Sequence, residues 1–528
     1  MDTQLTEQTL SQLLRRAAAA WPDKLAMIGE NRTWTWAELD AEVDEVAVMF
    51  EAAGVQPGDP VGFLVVKRPE VVIGFLACAR MGAIQAPVNF KLHPDQIHDQ
   101  FVTANIKAVL TEPQFDSILH GLLPILHDPH RILYCDTTQS HGGPGAHGHV
   151  GRHGEGRWEK HTAFKGRKSS FVPTPETVCY YNYTSGSTGR PKGAPTTNRN
   201  IVFNGVITAE GLGFRPDDVY LGMFSIFAHP HELFHRSIIY GGTFVVVDTL
   251  SPRMVAEVIL AHGVTWMMAV PSFYEMLLDF MDGHEVPLPS LRVLEAGGAY
   301  VSPETLDRME HAFKARFLPV WGCTEATGVG LGMLAEGDRR PGSTGKPIPG
   351  YEVLVADEEG QPMPAGEAGL LWIKGPAVVS SYVNMPEDTE RAFTNGWYNT
   401  NDLVRIDEEG FVYFTGRKSE MLKIGGIRVF PLEIEQVIQQ HPDVRDVVVV
   451  RAEERLRGEV PRAIITTKPG STLNFRKVQA YCRERMANYK VPRIVEFWKE
   501  IPKLPNGKID KKAVLARPLD PSRDERKE

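Results

Sequence analysis

Cysteine is scarce in this chain: five residues in 528 (Cys78, Cys135, Cys179, Cys323 and Cys482), scattered without paired spacing. That spacing suggests neither a disulfide framework nor a zinc site, and it fits a reducing, cytoplasmic setting. Positive charge is also short, with 57 basic against 66 acidic residues and a formal net charge of -9. A general nucleic-acid binder needs a basic stripe, so that class is set aside. No apolar run reaches the length of a membrane span. The start, Met1-Asp2-Thr3-Gln4-Leu5, lacks a basic-then-apolar leader pattern. What remains is ordinary globular composition, 42% hydrophobic and 23% charged, on a chain too long for one core.

The most informative stretch is Tyr183-Thr184-Ser185-Gly186-Ser187-Thr188-Gly189-Arg190-Pro191-Lys192-Gly193. Glycines let backbone N–H groups turn inward at φ values other residues resist, so such a loop can form a nest around an anion. The hydroxyls add donors, Thr184 or Thr188 offers oxygen to magnesium, and Lys192 brings positive charge to the rim. Composition of this kind is usually just a surface turn. Two flanks argue otherwise. The strand-like run Val178-Cys179-Tyr180-Tyr181 precedes it, and a helix is expected through Asn200-Ile201-Val202-Phe203. The spacing is not G-x-x-x-x-G-K-[ST], because Arg190 and Pro191 follow Gly189.

Around this loop the sequence alternates strand and helix signals. Thr35 with Glu38 makes a capping box, with Trp34 and Leu39 at the staple positions. Leu39, Val43, Val46 and Phe50 mark one helical face, and Gly54 is placed to end that helix. Strands are expected at Val61 to Val66, Ala83 to Val88, Thr243 to Val247, Val264 to Ala269 and Arg292 to Glu295, with a helix at Val71 to Arg80. This order predicts an α/β architecture. His141 to Lys168, rich in glycine and histidine, reads as a solvated loop, since its ligand spacing is irregular. After Gly416 the character changes. Strands at Val444 to Arg451 and Pro461 to Thr467, and a helix at Phe475 to Met486 with Val478, Tyr481 and Cys482 inward, make a small α+β domain. The boundary is expected near Arg417-Lys418-Ser419-Glu420.

Further clusters suit one nucleotide site. Gly297-Gly298-Ala299 follows a strand, so backbone can approach a flat base. Trp321-Gly322-Cys323-Thr324-Glu325 follows the apolar run Phe317 to Val320; there an aromatic ring can stack and Glu325 can hold magnesium. Asp402 suits ribose hydroxyls, and Arg417 offers a fork of donors to sugar or phosphate. Leu504-Pro505-Asn506-Gly507-Lys508 puts an ammonium at a turn tip. Each cluster alone is weak; their order is informative.

In that order the chain resembles the adenylate-forming superfamily, which includes acyl-CoA synthetases, aryl-CoA ligases, firefly-type luciferases and peptide-synthetase adenylation domains. The resemblance runs from Thr35-Trp36-Ala37-Glu38-Leu39 to Pro505-Asn506-Gly507-Lys508, through T-S-G-S-T-G-R-P-K-G, W-G-C-T-E and Gly342 to Pro347. It implies a large N-terminal α/β domain (residues 1–416) of stacked sheets with helices and a β-barrel subdomain. A hinge at 417–421 and a small mobile α+β domain at 422–528 would follow.

It implies ATP, Mg²⁺ and coenzyme A as cofactors and a small-molecule carboxylic acid as substrate, with a homodimer as a compatible assembly. Thr184, Ser185, Gly186, Ser187, Thr188 and Gly189 would grip the triphosphate, with Thr184 and Glu325 on Mg²⁺. Gly297, Gly298, Ala299 and Trp321 would line the adenine, beside Gly322, Cys323 and Thr324; the family more often has tyrosine at Trp321. Asp402 and Arg417 would hold the ribose. Lys192 would neutralise phosphate charge, and Lys508 would touch the substrate carboxylate and α-phosphate. Ser419 stands where the family's hinge is usually Asp or Lys. Gly425 and Gly426 resemble the loop swung in for the thioester step.

The acid pocket would involve Phe227, Ala228, His229 and Thr327. The family's usual histidine falls at Ala228, leaving His229 or His231 to substitute, or else to cap a helix starting at Glu232. Phe224 is followed by Ser225, not aspartate, which disfavours amino acids and leaves a fatty or aromatic acid as the default. The alternative is an enzyme that loads a separate acyl carrier protein.

Overall fold

The computed structural model describes residues 3–126, 131–135, 156–184, 192–227, 229–284, 286–335, 339–358, 360–364, 366–424, 427–454, 458–503 and 509–518. Two large sheets carry most of it. In the first, Val219–Gly222, Thr243–Val245, Trp266–Ala269, Val293–Ala296 and the start of Arg316–Cys323 run parallel and are buried nearly throughout. In the second, Ile132–Tyr134, Ala108–Thr111, Pro60–Leu64 and Ile84–Pro87 run parallel, and Val178–Thr184 pairs antiparallel with Lys192–Thr197. Parallel strands need crossover helices, and those helices cover the faces. The expected α/β order is therefore the order observed.

The helix Trp36–Ala52 shows how local signals set these elements. Thr35 Oγ1 accepts from Glu38 N and the Thr35 N–H donates to Glu38 Oε2, which is the capping box, worth about 1 kcal/mol. Leu39, Val43, Val46 and Phe50 are fully buried, and Gly54 at φ +85° stops the helix. Its neighbour, the helix Pro69–Met81, is buried on nearly every face. Arg80 is 2% exposed there and bonded to Asp40 and Asp44.

Glu352–Ala356, Gly369–Lys374, Trp397–Ile406, Phe393–Thr394 and Val412–Arg417 form a five-stranded antiparallel sheet, bridged to the first sheet's edge through Gly345 and Val412. Gly345 could be nothing else: at φ +102°, an added Cβ would lie 2.0 Å from the Gly332 carbonyl oxygen. A 3-10 turn at Lys418–Glu420 leads into another five-stranded sheet built on Val444–Glu454 and Gly458–Thr467. Its core contains Val447, Val449, Ala463, Ile465, Val478 and Cys482.

Several expectations need correction. Tyr481 is not inward: it lies half-buried against His441, because Val478 and Cys482, one turn apart, already define the apolar face. The histidine-rich stretch is not all solvated loop. Residues 136–155 lie outside the described residues, but Trp158–Phe164 forms a 3-10 segment. Trp158 is buried, and the buried His161 ring stands 3.8 Å from Glu42 and 3.7 Å from Glu45. No helix starts at Glu232; a short 3-10 turn, Pro230–Leu233, precedes the helix His235–Tyr240, and His229 makes no side-chain cap there.

Candidate active site

Thr184 is the last residue of its strand and faces Lys192, the first of the next, across the antiparallel ladder. Ser185, Gly186, Ser187, Thr188 and Gly189 lie outside the described residues, as do Ala228, Gly425, Gly426 and Lys508. Lys192 is held from two sides. Its Nζ is 2.6 Å from Asp388, on the helix Pro386–Ala392, and 5.2 Å from the ring centre of Tyr382.

Tyr382 links Lys192 to Glu325. Its hydroxyl donates to Glu325 Oε1 at 2.5 Å, and Glu325 is 5% exposed. Burial pushes the Glu325 carboxyl pKa up, while the bonds from Tyr382 and Tyr398 and the charge of Lys192 pull it back. The backbone is fixed as well, since Val379 N donates to the Glu325 carbonyl. Thr184 and Glu325 offer a hydroxyl and a carboxylate, the hard oxygen donors that suit magnesium. A cation there would offset the burial of the Glu325 charge.

The W-G-C-T-E run lies partly inside a strand. Arg316–Cys323 continues through Trp321, Gly322 and Cys323 and pairs antiparallel with Gly328–Gly332, with a register shift between Trp321 and Gly322. Such a bulge re-aims a side chain. An added Cβ at Gly322 would lie 2.4 Å from the Gly328 carbonyl oxygen, so only glycine permits that close pairing. Trp321 turns toward the antiparallel sheet, where its indole N–H donates to Asp402 Oδ2 at 2.8 Å. Asp402, 3% exposed, stands opposite Arg417 on the neighbouring strand, with Arg417 Nε 3.0 Å from Oδ1. Tyr398 and Asp402 lie on one strand, which therefore supports both Glu325 and Trp321. Gly297 is half-buried, and Gly298 and Ala299 are exposed, at the end of Val293–Ala296. Below them Glu295 is fully buried and bidentate with Arg236.

The histidines divide. His231 is fully buried, with Nδ1 2.8 Å from the Tyr180 hydroxyl and Nε2 3.2 Å from the Thr327 carbonyl. Burial drives its pKa well below the usual value, so the ring is neutral and both nitrogens are in use. His229 is half-buried at φ +53°, clamped by Asn182, whose amide nitrogen lies 3.3 Å from Nδ1 and whose oxygen lies 3.5 Å from the His229 N–H. Glu232 beside them is pushed up to about 8 by burial. Ligand atoms of His229, His231 and Glu232 fall within 4.8 Å of one another, but a metal on His231 would have to displace Tyr180 or the Thr327 carbonyl. Phe227 is half-buried and stacks edge-on against Phe90 at 5.1 Å. Thr327 is buried, with its hydroxyl donating to Ala377 O.

Sequence reasoning missed Tyr382, Tyr398, Asp388, Tyr180 and Asn182. Tyr180 was read only as part of a strand and the others lie in no recognisable run; only the folded chain carries them to Glu325, Lys192 and the histidines.

The AMP-binding enzyme profile matches residues 14–383, and the AMP-binding enzyme C-terminal domain profile matches 433–508. The chain is 27% identical to the indoleacetate–CoA ligase of Aromatoleum aromaticum, covering 95% of this chain and 96% of that protein. It is 27% identical to the long-chain-fatty-acid–CoA ligase of Bacillus subtilis, covering 97% and 95%. Among solved structures, an anthranilate CoA ligase in complex with anthranoyl-AMP superposes with a TM-score of 0.87 at 26% identity, over 97% of each chain. Among the described residues, no helix is long and apolar enough to cross a membrane.

Proposed function

The chain belongs to the family of AMP-binding enzymes, and from that premise we propose how an AMP-forming acid–thiol ligase divides its work among these residues. A carboxylate is a poor acyl donor because its leaving group would be oxide. Attack of its oxygen on the ATP α-phosphate, with loss of pyrophosphate, gives an acyl-adenylate; the thiol of coenzyme A then takes the acyl group and AMP leaves. Two anions meet in the first step, so catalysis is mostly positioning and charge neutralisation.

Trp321 and the Gly297–Ala299 backbone form the adenine wall, and Asp402 with Arg417 receives the ribose. Thr184 and Glu325 hold Mg²⁺, which when bound supplies charge neutralisation to the phosphates. Lys192, tethered to Asp388, keeps its ammonium beside them. His229 takes the place of the family's pocket histidine, since His231 is spent on Tyr180 and Thr327. Lys508 serves adenylation only, and residues 417–421 are the hinge about which 422–528 turn between half-reactions. A cytoplasmic site, supported by five unpaired thiols, and a homodimer belong to this reading; light scattering tests the dimer.

The observation that carries the proposal is the convergence of Trp321, Asp402 and Arg417 beside Glu325, Tyr382 and Lys192. ATP–pyrophosphate exchange over short, medium, long and aromatic acids tests it; exchange with none would sink it. Lys508→Ala should lose exchange yet still convert synthetic acyl-AMP and coenzyme A to thioester. Equal loss of both steps removes that role, and thioester on carrier-bound pantetheine alone would favour the carrier-loading alternative.

A further inference from the structure

Lys67 is a buried cation that the reaction above does not use. It follows the strand Pro60–Leu64 of the second sheet, is 9% exposed, and donates from Nζ to the carbonyl of Gly222, the last residue of Val219–Gly222 in the first sheet. An ammonium has three N–H donors. Among the described residues Gly222 O is its acceptor, and no carboxylate forms an ion pair with it. Asp248 attracts it from farther off. Burying an ammonium with one neutral acceptor is costly unless an anion completes it. Desolvation lowers its pKa to about 8, so it still carries charge at neutral pH.

Its position is as telling as its isolation. Gly222 and Lys67 both lie at carboxyl ends of parallel strands, where ligands bind in α/β sheets. Gly222 also begins the segment through Met223 to Phe227 that leads into the acid pocket. Val219–Gly222 is two strands from Val293–Ala296, the strand before Gly297, so the Gly222 carbonyl that holds Lys67 belongs to the same sheet as the proposed adenine wall. The segment after Gly222 is lined by aromatic rings: Phe227 meets Phe90 edge-on, and Phe90 lies against Phe115. Under the ligase reading the acid pocket would then combine an apolar lining at Phe227 and Phe90 with a cation at Lys67.

We propose that Lys67 anchors a second anionic group on the acid, so that the substrate is a dicarboxylic acid, activated at one carboxylate and held at Lys67 by the other. This rests on the ligase reading and replaces the fatty-acid default, because a long alkyl chain would have to bury its end against an ammonium.

The test is pyrophosphate exchange with matched pairs, pentanoate against glutarate and benzoate against 3-carboxybenzoate, in the full-length protein and in Lys67→Met. The wild type should prefer the dicarboxylate at least tenfold in kcat/KM. Lys67→Met should erase that preference through KM for the dicarboxylate, with the monocarboxylate unchanged or improved. An unchanged ratio, or an equal fall for both members of a pair, overturns the proposal and leaves Lys67 a strut between sheets. Should Lys67→Met not fold, Lys67→Gln keeps a donor to Gly222 without the charge and reads the same ratio. Wild-type exchange that favours monocarboxylates refutes the anchor alone; absence of exchange with every acid refutes the ligase reading and the anchor with it.

Discussion

The indole N–H of Trp321 and the guanidinium of Arg417 share one carboxylate, that of Asp402, at 2.8 Å and 3.0 Å on separate oxygens. In the proposed reading the adenine wall and the ribose carboxylate are thereby one unit, positioned before nucleotide arrives. Bonds to a charged group contribute about 1.5–3 kcal/mol. Asp402→Ala should raise the KM for ATP by more than tenfold, and Trp321→Phe by less than tenfold. Because both changes break one network, the double variant should cost less than the sum of the two. Strictly additive effects in the exchange assay would contradict this coupling.

Tyr382 donates to Glu325 and so favours its ionised form. Tyr382→Phe removes that bond, and the already raised carboxyl pKa climbs further. If ionised Glu325 is required, the acid limb of the pH–rate profile moves to higher pH, while the rate at alkaline pH is retained. A limb that stays in place shows that Glu325 ionisation does not control the rate.

Glu232 is raised from 4.5 to about 8 by burial, so the folded chain binds more protons than the unfolded chain between those values. Its stabilising neutrality is fully present below the ordinary carboxyl range and fades as pH rises toward 8, by at most about 1.4 kcal/mol per unit. Glu232→Gln should flatten the fall in thermal midpoint between pH 5 and 8, as read by circular dichroism. Parallel curves for wild type and variant would place the pH dependence elsewhere.

Arg236 and Glu295 form a bidentate pair at 2.6 Å and 3.0 Å, with Trp266 also donating to Glu295 at 2.9 Å, all out of solvent. Arg236→Leu strands a buried carboxylate and should cost about 3–5 kcal/mol in urea unfolding. Replacing both residues with leucine should recover much of that loss. Since Glu295 lies two residues before Gly297, the single variant should also raise the KM for ATP.

Much of this was legible in the sequence because it is local. The capping box at Thr35, the αL stop at Gly54 and the apolar runs at Val61, Val264 and Arg292 depend on nearby residues, and the observed elements match them within a few positions. Motif order singled out Trp321, Glu325, Asp402 and Arg417, and the fold brings Trp321, Asp402 and Arg417 into contact. The inward assignment of Tyr481 and the helix at Glu232 did not hold, because packing partners rather than periodicity decided those positions.

The chain's order of residues by itself determined the α/β alternation, the absence of a disulfide framework and which motifs recur with which chemistry, since propensity and spacing act over a few residues. Only the tertiary structure decided that Tyr382 supports Glu325, that His231 is spent on Tyr180 and Thr327, and that Lys67 reaches Gly222 from the opposite sheet. Those partners are 57, 51, 96 and 155 residues apart. Their meeting depends on how two sheets stack at their carboxyl ends, which no local pattern encodes.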